Sequence, residues 1–187
     1  MTTMTVRATE IPDVLIITPA RHGDARGFLS ETYNKQRFAA HGIGIDFVQD
    51  NHSFSAAQGT VRGLHFQTPP FAQAKLVRVL RGAIYDVAVD LRASSPTFGR
   101  SVGVVLSAED WNQLLIPVGF AHGFCTLTPD TDILYKVSQH YSPEHDKGVL
   151  WNDPDLGIDW PVEENAAILS EKDRRLPRLR ELPSYFD

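Results

Sequence analysis

Arg62-Gly63-Leu64-His65-Phe66-Gln67 places a histidine near the end of an otherwise apolar run, beside a glycine and an arginine. Histidine is the side chain best matched to proton transfer near neutral pH. The same residue can equally be a half-buried histidine that satisfies a backbone carbonyl, and this segment alone leaves both readings open. Strict strand alternation puts Arg62 and His65 on opposite faces, so both serve one pocket only where the strand bends or bulges, for which Gly63 is the natural place. Tyr135, in Ile133-Leu134-Tyr135-Lys136-Val137, shares a strand face with Ile133 and Val137. The pattern favours a core tyrosine; the alternative is a general acid whose phenol projects into a cavity between sheets. In Leu169-Ser170-Glu171-Lys172-Asp173, Ser170 and Asp173 have the spacing of a helix cap and its capping-box acid. A catalytic Asp173 requires the tail to fold over the barrel mouth and bring the carboxylate to a histidine, fixing its tautomer and stabilising the imidazolium.

Charge and metal chemistry narrow the ligand. Lys plus Arg total 18 against 23 Asp plus Glu, a net charge of -5, so no global positive field is present to hold nucleic acid or an anionic membrane. Any anion is held locally. Arg26, Arg62 and Lys75 each stand beside apolar, strand-like residues; solvation explains most such cations, but convergence of the three makes a site for a phosphorylated ligand. No glycine-rich phosphate loop or dinucleotide fingerprint accompanies them. His52, His65 and His122 lie on separate segments, which leaves a three-histidine metal site geometrically possible. Position 67, where closely spaced metal-binding histidines would continue, is Gln, and the expectation is no metal.

These residues need a scaffold, and the 187-residue chain has the length of one domain. Apolar residues at 42%, charged at 22% and aromatic at 10% exclude disorder and fibre. The single cysteine, Cys125, excludes an intrachain disulfide and a cysteine zinc cluster. The polar first ten residues lack an apolar signal region, and no run approaches the ~18 apolar residues of a membrane span, so a soluble, cytoplasmic protein is expected. Short alternating runs separated by Gly, Pro, Asn, Asp and Ser predict an all-β sandwich or barrel. The clearest strand is 83–92, with 14–18, 47–51, 60–66, 75–80, 101–106, 113–116, 123–127 and 132–138 as further candidates. Gly82 and Pro117-Val118-Gly119 predict tight turns, with consecutive strands as antiparallel neighbours. Asn34 to Gly42 reads as one short helix, with Asn34 as cap, Phe38 inward and Gly42 at its end. After Trp151 the alternation weakens, and Pro154, Pro161, Pro177 and Pro183 break up a tail expected to pack back on the sheets within one domain spanning 1–187.

In chain order the sequence further carries Gly23-Asp24-Ala25-Arg26-Gly27-Phe28, Gln49-Asp50-Asn51-His52-Ser53, the Arg62 to Gln67 segment and Ser95-Pro96-Thr97-Phe98-Gly99. Pro117-Val118-Gly119-Phe120-Ala121-His122-Gly123-Phe124, Leu134-Tyr135-Lys136, Trp151-Asn152-Asp153-Pro154 and the Leu169 to Asp173 segment follow. This ordered set, covering nearly the whole chain, resembles the dTDP-4-dehydrorhamnose 3,5-epimerase family of sugar-nucleotide epimerases. The resemblance implies a cupin-type jelly roll, a homodimer, no cofactor, and a thymidine diphosphate 4-keto-6-deoxy sugar as substrate. It implies His65 as general base, Asp173 as its orienting partner and Tyr135 as the opposing proton donor. Arg26, Phe28, Glu31, Gln49, Asn51, Arg62, Lys75, His122, Asp146 and Lys172 are implied as ligand contacts. His140 stands where the family usually has a tyrosine that stacks on the thymine, and Asp146 where Glu is more common. Inversion at carbon 3 or 5 alone, a non-catalytic sugar-binding module and a metal-dependent cupin are the alternatives.

Overall fold

Alternating apolar residues with turn residues between them give strands that bury one face each, and two such sheets stacked face to face bury both. A computed structural model describes residues 3–187. Its strands are β1 (Thr5–Ala8), β2 (Leu15–Thr18), β3 (His22–Asp24), β4 (Gly27–Leu29), β5 (Gln49–Ser55), β6 (Val61–Gln67) and β7 (Lys75–Arg81). They continue with β8 (Ala83–Asp90), β9 (Ser101–Ser107), β10 (Gln113–Ile116), β11 (Phe120–Thr126), β12 (Thr131–Val137) and β13 (Asp146–Gly148). A six-stranded sheet in the order β1-β2-β10-β7-β12-β5 faces a five-stranded sheet in the order β13-β6-β11-β8-β9, and β3 pairs only with β4. This is an all-β, cupin-like jelly roll.

Strand β8 shows how the pattern builds the layers. Ile84 and Ala88 point between the sheets, into a core with Val77, Val79, Leu114 and Phe124. Val87 and Val89 point the other way, under the C-terminal tail, against Leu156 and Phe186. Each fully buried aliphatic or aromatic side chain of this kind contributes roughly 1.5–3 kcal/mol. The outer face of the six-stranded sheet is covered by α1 (Lys35–Ala40), whose buried Phe38 meets Ile17, Leu76 and Leu115. Asn34 caps α1 by accepting from the Arg37 N–H, and the Gly42 N–H closes it on the Ala39 carbonyl.

The structure corrects the expected neighbour relation. The turns at Gly82 and at Pro117-Val118-Gly119 reverse the chain, but β7 and β8 lie in different sheets, and so do β10 and β11. A turn residue fixes that the chain reverses; which sheet receives the next strand is decided by where its apolar face finds cover. Within the two sheets, sequential strands pair only as β1 with β2 and β8 with β9.

Candidate active site

The local reason for the site is a bulge in β6. His65 pairs with His122 of β11, while Arg62 pairs with Phe124, so three steps along β6 match two along β11. The extra residue turns Arg62 and His65 into the same cavity, as the glycine between them suggested. Gly63 has φ +118°, and a Cβ there would lie 2.6 Å from both the Gly123 Cα and the His122 carbonyl oxygen. Only glycine lets the two strands approach this closely.

Asp173 comes from the tail. Val61 donates its N–H to the Ile168 carbonyl, and Ile168 returns one to Gly59, which ties the tail beside the start of β6. Ser170 accepts from the Asp173 N–H at 3.1 Å, so half of the capping box exists. The carboxylate completes a different bond: Asp173 Oδ1 meets His65 Nε2 at 2.7 Å, and Oδ2 accepts from the Gly63 N–H at 3.4 Å. Burial pushes this carboxyl up, but the bond and charge of His65, with Gly63 and Ser170, outweigh it and hold the group below its ordinary value. With Nε2 turned to Asp173, the imidazole atom left for chemistry is Nδ1.

His65 and Asp173 border a cavity of about 490 Å³ between the sheets, together with Arg62, Lys75, His122 and Tyr135. Tyr135 enters from β12, in the sheet opposite His65. Its hydroxyl meets no hydrogen-bond partner among the described residues, while its ring packs on the core that includes Val77 and Ile133. The pattern-based reading of a core tyrosine thus describes the ring and not the phenol. Burial raises the phenol above its usual value, with Asp146 adding to the effect and Arg62 opposing it, so it stays protonated at neutral pH. Lys75 is buried, and its Nζ donates to the His65 carbonyl at 3.4 Å. Burial brings its ammonium down to about 8 against the opposing pull of Asp146 and Asp86.

Lys172 borders this cavity and an adjoining one of about 220 Å³, where Gln49, Asn51 and Asp146 join it. Gln49 donates to Asn51 at 2.8 Å, and Lys172 pairs with Asp146. Tyr141, and not His140, borders this second cavity, alongside Phe66 and Tyr135. The Tyr141 hydroxyl donates to Asp146 at 3.1 Å and its N–H to the Gln49 side chain at 3.2 Å. Sequence reasoning missed Tyr141, which lies four residues beyond the end of β12, where strand alternation no longer says which way a side chain points. Asp86, hydrogen-bonded to His122, was also passed over. His52 borders neither cavity; it is exposed and pairs with Asp132 at 3.0 Å.

Besides His140, three more of the predicted contacts reach neither cavity. Arg26 is bound to Asp24, Glu31 to Arg37, and Phe28 packs edge-on to Trp111 at 4.8 Å. All three lie on or beside the β3–β4 hairpin.

Residues 8–181 match the sequence profile of dTDP-4-dehydrorhamnose 3,5-epimerase. The chain is 51% identical to the dTDP-4-dehydrorhamnose 3,5-epimerase of Escherichia coli K12 over 181 residues, 96% of each protein. It superposes with a TM-score of 0.91 on the Bacillus anthracis enzyme of that name, crystallised with TDP and PPi, at 55% identity over 94% of this chain and 99% of that one. The TM-score is also 0.91 to a dTDP-6-deoxy-D-glucose-3,5-epimerase of Legionella pneumophila in complex with dTDP-4-keto-L-rhamnose, at 45% identity over 96% and 95% of the two chains. A jelly roll with a histidine and carboxylate pair facing a tyrosine across its interior, and this identity over nearly the full length, place the chain in the dTDP-4-dehydrorhamnose 3,5-epimerase family.

Proposed function

We propose that the protein inverts carbons 3 and 5 of dTDP-4-dehydro-6-deoxy-D-glucose, giving dTDP-4-dehydro-L-rhamnose. The observation that carries this reading is the His65–Asp173 pair on one wall of a sugar-sized cavity, with the Tyr135 phenol, unpartnered among the described residues, entering from the opposite sheet. Protons on carbons flanking a ketone are acidic because the carbanion delocalises as an enolate. His65 Nδ1 takes such a proton and becomes imidazolium, which the ionised Asp173 stabilises. The Tyr135 hydroxyl then gives a proton to the same carbon from the other face, and solvent restores both groups. Lys75 and His122 border the same cavity, which makes them available as donors to the enolate oxygen as it develops its charge. Repetition at the second flanking carbon completes the double inversion.

The nucleotide lies across the mouth, with Arg62 and Lys172 available to its diphosphate and the Tyr141 ring as a surface for the base. Binding energy from this remote handle orients the sugar for both proton transfers. A homodimer accounts for Arg26, Phe28 and Glu31. Their hairpin leaves Phe28 54% and Leu29 73% exposed, an apolar edge suited to docking beside the mouth of a second copy. The test is proton NMR of the purified protein with dTDP-4-keto-6-deoxyglucose: the L-configured product is expected, and an unchanged substrate overturns the reading.

A further inference from the structure

Beside His65 and Tyr135 lies a second histidine and carboxylate pair, whose carboxylate has no part in the steps above. His122 of β11 and Asp86 of β8 are hydrogen-bonded through Nε2 and Oδ1. The register sets His122 directly opposite His65. Asp86 is 0% exposed and His122 7%. The other carboxylate oxygen, Asp86 Oδ2, is buried and meets no donor among the described residues. An ionised carboxylate so placed is costly unless positive charge stands against it. The cavity wall around His122 carries Lys75 from β7, Arg62 and His65 from β6, Tyr135 from β12 and Asp173 from the tail, but the direct bond of Asp86 is to the imidazole. With Nε2 turned to Asp86, the ring atom that His122 offers a ligand is Nδ1.

Enolisation moves negative charge onto the ketone oxygen, and stabilising it requires a donor already in place. His122 Nδ1 donates only when both ring nitrogens carry protons, and the buried group that balances such a ring is Asp86. We propose that Asp86 is a positioning residue for the reaction: it fixes His122 through Nε2–H and holds it as the imidazolium whose Nδ1–H meets the 4-keto oxygen as it becomes an enolate. The proton on Nδ1 is shared and not transferred, so the protons removed by His65 and delivered by Tyr135 still balance. This inference rests on the epimerase reading.

Asp86→Asn keeps the shape and an acceptor oxygen for Nε2–H while removing the charge. Its kcat is expected to fall at least about 100-fold, with dTDP affinity by calorimetry within about twofold, because dTDP carries no ketone. His122→Gln should lose a comparable factor, and the double variant should be no slower than the slower single, since one residue acts through the other. In wild-type protein saturated with dTDP at neutral pH, ¹⁵N spectra should show both His122 ring nitrogens protonated, a readout that stands even where a variant fails to fold. An Asp86→Asn kcat within about threefold of wild type, losses that multiply in the double variant, a matching loss of dTDP affinity, or an unprotonated His122 nitrogen each overturns the inference. Wild-type protein that leaves the keto sugar unchanged overturns both this inference and the epimerase reading.

Discussion

At the scale of single residues, Tyr135 separates structure from chemistry most sharply. Tyr135→Phe keeps the ring against Val77 and Ile133 and removes a hydroxyl with no partner among the described residues. Stability should therefore change by less than about 1 kcal/mol. With the donor gone, His65 can still remove a proton and, after exchange with solvent, return deuterium to the same face. The expected result in deuterated water is labelled, uninverted substrate with little product by NMR; near-normal inversion would assign the proton donor elsewhere. Lys75 supplies a pH dependence. Its ammonium sits at about 8 in the folded protein against an ordinary 10.5. If its charge supports the enolate, kcat falls as pH rises through about 8. Stability moves oppositely: between these two values the unfolded chain binds more protons at Lys75, so its contribution to folding becomes more favourable with rising pH. A flat kcat profile from pH 7 to 9 would remove Lys75 charge from the mechanism.

At the scale of elements, the β6 bulge is what makes a strand into an active site. Gly63→Ala would force a Cβ to within 2.6 Å of the backbone of β11 at φ +118°. We expect a loss of about 2–4 kcal/mol in chemical denaturation, and a drop in kcat beyond the unfolded fraction, because His65 leaves its register with Asp173. A neutral Gly63→Ala would show that the bulge does not position the base. This device was legible in the sequence, since Arg62 and His65 can share a pocket only through an irregularity and a glycine lay between them. The α1 helix was legible from Asn34, Phe38 and Gly42 for the same kind of local reason. The passage of β7 to β8 between sheets was not, because Gly82 reports a reversal and not the destination of the next strand. Nor did spacing alone show Asp173 bonded to His65, a contact 108 residues apart in sequence that exists only once the tail has folded back. The resemblance implied the pairing; only the folded tail shows how it is made.

At the scale of the whole molecule, both sheets line the cavity: His65, with Asp173 beside it, stands at the five-stranded sheet, and Tyr135 and Lys75 come from the six-stranded one, so the proposed mechanism divides the reaction between them. The hairpin carrying Arg26 and Phe28 borders neither cavity, which leads to a prediction about assembly. Arg26→Ala and His65→Ala should each be nearly inactive as homodimers. Unfolded together and refolded, they should regain about a quarter of wild-type activity, since half of a random mixture is heterodimer with one intact site. No recovery from demonstrably mixed dimers would place Arg26 in the site of its own chain. On the proposed mechanism, one cavity, with base and proton donor entering from opposite sheets, removes and replaces the protons on both carbons flanking the ketone. The most direct test of this mechanism is to incubate wild-type protein with dTDP-4-keto-6-deoxyglucose in deuterated water and read the positions of deuterium by NMR. The account predicts deuterium at both carbon 3 and carbon 5 of an inverted sugar, with none incorporated by His65→Ala; deuterium at one carbon only, or undiminished incorporation by His65→Ala, would contradict it.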